Sequence, residues 1–562
     1  MRRRGLLLAV ILIGAALIGS AFALSPVRGL LDSKSSEQPP INAEEIKDKQ
    51  NKATPNIIAI QLESFQSFVL GKTIEGQEIT PNLNKLMKES LTYPNFYLQN
   101  GAGNTVDAEF MFNTSLHPVK PPQVIAFTDP MKEFPSLARI VRDKGYATIT
   151  MHTNNAMFYN RKEFYSALGF QQFLDKDYFG TDDFIAFGSS DDILYDKGMD
   201  AVDEYAKAGK PFYAQFISMS SHHPFHLPEK FRELKLSELY QDNLAGDYLQ
   251  ATRYTDTALG HLFDRLKRDG LWDNTILVLY GDHTGIQMKM VEDAEKAALK
   301  EIVGHEYTLA DALQVPFIIH GPGIEAKADP IYGGHLDMLP TLLGLMGDTP
   351  ADAAFLGYDL TKGQSHTIPI RGAFADEGSF IDEGTLYNPI KKTAMDLSTG
   401  ESKPVEESTY KAKYDDVLAR FQASLDYVAS LPEKKEDFGE KVVLTKPAEL
   451  YATADTTSPL GVSIPEKSAV TSKESKPDEG WYKIEYEGKS GWIKPDQPIL
   501  ELWGLIKTKT KTPLFKEPDS SLKPVLTVGS QNVNVTQRWV GTKWYKIVTW
   551  AGEYWGEVDV DE

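Results

Sequence analysis

Residues 275–285 read TILVLYGDHTG. Thr275–Tyr280 form an unbroken apolar and β-branched run, and Gly281, Asp282 and His283 follow at once. The run has strand length. Continuous rather than alternating apolarity means both faces are buried, as in a strand inside a parallel sheet. A carboxylate and an imidazole directly past such a strand lie where open α/β sheets bind ligands, beyond the carboxyl ends of the strands.

The same arrangement recurs upstream. Asn56–Leu62 runs into Glu63-Ser64, Ala147–Met151 into His152-Thr153-Asn154, and Phe212–Met219 into Ser220-Ser221-His222-His223. Val315–His320 is a fifth strand candidate. Helical patterns lie between these runs: Thr80-Pro81 to about Glu89, Ser136 to Lys144 before Gly145, and Asp247 to Arg268 before Gly270. Alternating strands and helices predict an α/β domain with a mostly parallel sheet flanked by helices, spanning residues 55–431. Glu63, His152, His222, Asp282 and His283 then collect on one sheet edge. Residues 350–430 add short strands at Thr367–Ile370 and Thr385–Tyr387 and a helix from about Thr409 to Leu431, read as completing the sheet.

Asn100–Leu116, NGAGNTVDAEFMFNTSL, supplies a reactive group for that edge. Gly101 and Gly103 let the chain fold back, and Asn104-Thr105 followed by Asp107 and Glu109 has the form of a helix start with a capping side chain. Thr105 at a helix N-terminus is a cap or a nucleophile. Backbone N–H groups and the helix dipole there favour an anion such as phosphate. Glu63, Asp282, His283 and Thr105 offer three oxygen ligands and one nitrogen. That mainly hard set suits manganese or magnesium and leaves zinc open. A coordinated divalent ion lowers the pKa of an alcohol that is otherwise a poor nucleophile. Arg161, in Phe158-Tyr159-Asn160-Arg161, matches a phosphate in shape and charge, or forms a surface salt bridge.

The formal net charge of −20 argues against nucleic acid as a partner, and the absence of cysteine removes disulfides, thiol nucleophiles and Cys-ligated zinc. Arg2, Arg3 and Arg4 precede an uncharged run from Gly5 to Leu24, so residues 1–24 read as a single membrane anchor or a signal peptide cleaved near Ala23. Either places the remainder outside the membrane. Residues 25–54 read as a flexible tether. Past a charged linker, Pro432 to Lys441, a repeat appears: WYKIEYEGKSGWI at 481–493 and WYKIVTWAGEYWGEV at 544–558. Each reads as a hairpin with a glycine-containing turn. The pair predicts two small all-β modules over 442–500 and 505–562, similar to bacterial SH3-like barrels, serving to bind cell-wall peptidoglycan or as rigid spacers.

Several stretches in register over about half the chain resemble the catalytic domain of lipoteichoic acid synthases, within the sulfatase/alkaline phosphatase-like fold. They are LESFQSF at 62–68, the Thr105 segment, FYNR at 158–161, SHHPF at 221–225, ATRYTDTAL at 251–259, YGDHTG at 280–285 and LDMLPTLLGLMG at 336–347. The resemblance implies a phosphoglycerol transferase with a threonine nucleophile, Thr105. It implies a manganese site of Glu63, Thr105, Asp282 and His283, and a substrate pocket of Gln61, His152, Asn154, Phe158, Tyr159, Arg161 and His222. The implied partners are phosphatidylglycerol and a glycolipid or polymer acceptor. Better-known members place a five-helix membrane domain before this domain, and carry His, Asp and Trp where this chain has Gln61, Asn154 and Tyr159. The C/S-x-P-x-R motif of sulfate ester hydrolases is absent. A phosphodiesterase of the same fold and a wall-binding protein with altered substrate are the competing readings.

Overall fold

The computed structural model describes residues 54–156, 158–350, 354–372, 374–433, 440–476, 479–508, 511–530, 532–549 and 552–558. The predicted anchor or signal segment and nearly all of the tether lie outside these. Among the described residues no helix is long and apolar enough to cross a membrane.

The strands of the main sheet, in chain order, are β1 (Asn56–Leu62), β2 (Leu91–Thr92), β3 (Ala147–His152), β4 (Gln172–Leu174), β5 (Phe212–Ile217), β6 (Thr275–Gly281), β7 (Phe317–His320) and β8 (Lys327–Ala328). Their spatial order is β8-β2-β7-β6-β1-β5-β3-β4. From β6 to β4 all neighbours are parallel. β7, the fifth predicted strand, runs antiparallel to β6. An apolar run specifies burial on both faces. Strand direction depends on which edge the connection returns from, and the return from Gly281 stays on the carboxyl edge.

Period-2 alternation sends side chains into two cores, one on each face. Ile57, Ala59, Tyr213 and Val278 enter one; Ile58, Ile60, Ala214, Phe216 and Leu277 enter the other. Helices α1 (Pro81–Met87), α2 (Thr105–Thr114), α3 (Leu137–Arg142), α4 (Arg161–Leu168), α5 (Asp191–Lys207) and α6 (Leu244–Arg268) cover these faces. α2 is buried along its whole length, polar residues included. α3 and α6 start on side-chain caps, Ser136 and Asn243, each accepting a backbone N–H.

Residues 368–404 do not complete this sheet. They form a separate five-stranded antiparallel sheet, against which α7 (Glu407–Ser430) sets Val417 and Phe421 beside Phe380 and Tyr387. The C-terminal hairpins stand where the repeat places them, at 481–493 and 544–557, around two small cores. Trp481, Trp492, Trp544 and Trp555 are all buried. The boundary drawn at 500–505 instead falls inside one strand, Ile499–Lys507. That strand pairs with Glu440–Val443 on one side and Asn532–Trp539 on the other, so one ladder runs through both halves.

Candidate active site

β1 and β6 are paired so that Leu62 stands opposite Gly281. Glu63 and Asp282 are therefore both the first residue past their strand. Asp282 Oδ1 accepts the backbone N–H of Ser64 and of His283, each at 2.7 Å. Its Oδ2 is buried with no hydrogen-bond partner. Glu63 Oε1 accepts the Ser64 hydroxyl at 2.7 Å. His283 Nδ1 lies 3.0 Å from Thr284 O, so Nδ1 carries the proton. Its Nε2 faces Glu63 Oε1 at 3.4 Å and Asp282 Oδ2 at 3.5 Å. One ligand atom from each of the three residues lies within 4.8 Å of the others.

Burial and the neighbouring Glu63 push the Asp282 carboxyl well above the usual range. Burial acts the same way on Glu63, but His222, His283 and the Ser64 hydroxyl outweigh it and hold that carboxyl low. Two buried carboxylates this close resist ionising together unless a cation lies between them. The orphaned Asp282 Oδ2 and the His283 Nε2 turned toward both carboxylates complete the case: this group fits a divalent metal ion.

Thr105 opens α2 above the trio. Its Oγ1 is 3.3 Å from both Glu63 Oε2 and His283 Nε2. Thr105 is the first helical residue and not the cap; Asn104 holds the cap position at φ 45° and its side chain makes no capping bond. Asp107 ties the turn instead, accepting Gly103 N–H at 2.9 Å. The turn wraps this carboxylate so closely that a Cβ on Gly103 would lie 2.3 Å from Asp107 Oδ1, and one on Gly101 3.0 Å from Oδ2. Burial raises the Asp107 carboxyl to about 7. Ser64 (φ 54°), Asn104 (φ 45°), Tyr159 (φ 57°) and Asn160 (φ 50°) hold left-handed backbone next to Glu63, Thr105 and Arg161, and such strain concentrates at functional sites.

A cavity of about 230 Å³ opens over Thr105, with Glu63, His152, Asn154, Phe158, Tyr159, Arg161, His222 and His283 in its wall. Arg161 is no surface residue. It is buried, and its Nη2 and Nε reach Glu109 Oε1 at 2.8 and 3.3 Å. Burial and Arg161 press the His152 imidazole down to about 3, so it is neutral, with Nδ1 2.9 Å from Ile217 O. His222 turns Nδ1 to His223 O at 2.6 Å and leaves Nε2 4.0 Å from Glu63 Oε1.

Gln61 departs from the expected substrate contact. It shares the face of Ile57 and Ala59, beneath α2, and both ends of its amide are engaged. Nε2 donates to Thr105 O at 3.1 Å and Oε1 accepts Tyr280 OH at 2.8 Å. Asp282 lies behind His283, outside the cavity wall. Sequence reasoning missed Glu109, Ser64, Phe187, Gln287 and Met290 as members of the site. Glu109 had a signal: it stands four residues after Thr105, on the same helix face. A larger cleft of about 720 Å³ lies beyond the 155–163 segment and contains none of the metal-fitting residues.

Residues 55–348 match the family described as Sulfatase, more than half of the chain. The chain belongs to the sulfatase family. Its relatives there include lipoteichoic acid synthase 2 of Bacillus subtilis, 33% identical over 65% of this chain and 55% of that protein. They also include the lipoteichoic acid synthase of Staphylococcus aureus, 36% identical over 59% of this chain and 51% of that protein. The chain spans about half the length of the curated relatives it matches. The crystal structure of the lipoteichoic acid synthase LtaP from Listeria monocytogenes superposes with a TM-score of 0.62 at 32% identity, covering 70% of this chain and all of that one. A Vibrio parahaemolyticus protein of the alkaline phosphatase superfamily shares the fold, with a TM-score of 0.54 at 23% identity over 68% of this chain and 90% of that one.

Proposed function

We propose that this chain is a metal-dependent phosphoglycerol transferase that works on the outer side of a bacterial membrane. It takes glycerol phosphate from phosphatidylglycerol and passes it to a growing glycerophosphate polymer, a reading supported by its similarity to proteins named lipoteichoic acid synthase. The observation that carries this reading is the position of Thr105 Oγ1, 3.3 Å from Glu63 and from His283 at the floor of a cavity with Arg161 in its wall.

Glu63, Asp282, His283 and Thr105 would hold one divalent ion, manganese in our reading. When bound, it supplies positive charge that lowers the pKa of the Thr105 hydroxyl and of groups bearing developing negative charge. The remaining steps belong to the protein. The Thr105 proton passes to the Glu63 carboxylate it faces, and on to solvent. Oγ1 attacks the phosphorus, an O–P bond forms to Thr105, and the bond to the diacylglycerol oxygen breaks. His222, protonated at the Nε2 it turns toward the cavity, gives that oxygen a proton. Arg161, held in place by Glu109, offers its remaining N–H groups to the phosphate oxygens. A hydroxyl of the polymer end then attacks the phosphorus, His222 Nε2 takes its proton, the Thr105 O–P bond breaks, and the Thr105 oxygen regains a proton from solvent by way of the Glu63 carboxylate it faces. Asn154 and Tyr159 give hydrogen-bonding groups to the glycerol, and neutral His152 adds an uncharged donor or acceptor.

The test is mass spectrometry of the full chain trapped with phosphatidylglycerol vesicles and manganese. A phosphoglycerol adduct on Thr105, absent in Thr105→Ala, supports the reading. An adduct elsewhere, or full turnover by Thr105→Ala, refutes it. Release of free glycerol phosphate without polymer would make the chain a phosphodiesterase of the same fold.

A further inference from the structure

We propose that the rim of the catalytic cavity inserts apolar side chains into the bilayer that presents the lipid substrate. The proposal rests on the phosphatidylglycerol reading above and extends it to a surface that the chemistry leaves unused.

Two segments border the cavity and also project large apolar side chains into solvent. The first is the hairpin Phe184–Ser189. Its Phe187 lines the cavity, its ring near-perpendicular to that of His222 with centroids 4.7 Å apart, while Phe184 is 47% exposed. The second is the single turn Met288–Met290. Gln287 and Met290 line the cavity, while Met288 is 42% exposed. Single exposed apolar residues are ordinary on protein surfaces. These two sit on segments that border the same opening. Both segments are also pinned from beneath. Ile185 is buried against Leu227 and Tyr254, and Val291 packs on the core under the sheet. Phe184 and Met288 are thus held outward.

Size and charge point to a bilayer as the occupant. A cavity of about 230 Å³ is below the roughly 300–1,000 Å³ of clefts that enclose a drug-sized ligand. A two-chain lipid can place only its headgroup there, so its glycerol backbone and acyl chains must emerge at the rim. A formal charge of −20 sets the chain against an anionic membrane surface, so electrostatics does not supply the adhesion. Aromatic and aliphatic side chains reaching the headgroup–acyl boundary do.

The chain has no cysteine, so a single introduced thiol labels uniquely. Phe184→Cys, Met288→Cys and, as control, Ile390→Cys, a 70% exposed site on the separate antiparallel sheet, would each carry an environment-sensitive fluorophore in the full chain. With vesicles of phosphatidylcholine alone, the labels at 184 and 288 should shift to the blue and brighten at least twofold, and the label at 390 should not. No shift at 184 and 288, or an equal shift at 390, overturns the proposal. The double variant Phe184→Ser/Met288→Ser should turn over vesicle phosphatidylglycerol at least fivefold more slowly, yet match the parent on a short-chain phosphatidylglycerol kept below its micelle concentration. Equal turnover of both substrates overturns the rim's role and leaves the transferase reading standing. Label shifts in a parent that turns over neither lipid would overturn that reading and leave the insertion.

Discussion

Removing one hydroxyl tests how the metal-fitting carboxylates are held. Tyr248, on α6, is buried with its ring near-perpendicular to that of Phe225, centroids 4.9 Å apart. Its OH donates to Ser64 O at 3.0 Å and accepts Gln66 N–H at 2.9 Å. Tyr248→Phe keeps the ring and orphans a buried carbonyl and a buried N–H. Each unmade bond costs about 1–3 kcal/mol, and carbonyls tolerate the loss better, so about 3 kcal/mol is expected in all. At about 2.1 cal/mol/K per residue, a unit of roughly 380 residues unfolds with about 0.8 kcal/mol/K, and the melting temperature should fall by about 4 °C. Ser64 links this loss to the site. Its N–H holds Asp282 Oδ1 and its hydroxyl holds Glu63, so manganese affinity should fall in the same variant. Scanning calorimetry without manganese, followed by calorimetric titration with it, reads both effects. A melting temperature within 1 °C of the parent, with unchanged manganese affinity, would refute the claim that this hydroxyl anchors the loop.

Three further outcomes follow from single contacts. Glu109→Gln leaves the buried Arg161 guanidinium without its carboxylate and should cost about 3–5 kcal/mol, read by denaturant unfolding; a loss below about 1 kcal/mol would show that the pair is not structurally coupled. Gly103→Ala must push the Asp107 carboxylate aside, so turnover should fall more than tenfold while the calorimetric melting temperature shifts by only a few degrees; parental turnover would refute the close wrap. His366 lies 2.9 Å from Asp337; burial lowers its pKa, but the carboxylate contact outweighs this and raises it. A raised imidazole pKa adds stability that is complete below the ordinary value of about 6.5 and is lost as pH rises through the folded-state value. The parent should therefore lose stability above pH 6.5 faster than His366→Gln, and parallel melting curves from pH 6 to 8.5 would contradict this.

How much of the site could be read from the chain depends on how local its cause is. An unbroken apolar run states that a strand is buried on both faces, and parallel strands bring their carboxyl ends to one edge. Glu63, His152, His222, Asp282 and His283 were legible for that reason, and Thr105 because glycines before a helix start are a local signature. The role of Gln61 could not be assigned that way: a polar residue ending an apolar run looks like any ligand group, and only the seating of α2 on β1 turns its amide into a support for the Thr105 carbonyl. Arg161 read equally as a surface ion pair, since nothing nearby in sequence specifies Glu109, 52 residues away, as its buried partner. The antiparallel β7, the separate sheet at 368–404 and the strand shared by the two C-terminal halves were settled by tertiary structure for the same reason. Side-chain periodicity records whether a segment is buried. The neighbour it pairs with, and in which direction, is decided by contacts between residues far apart in the chain.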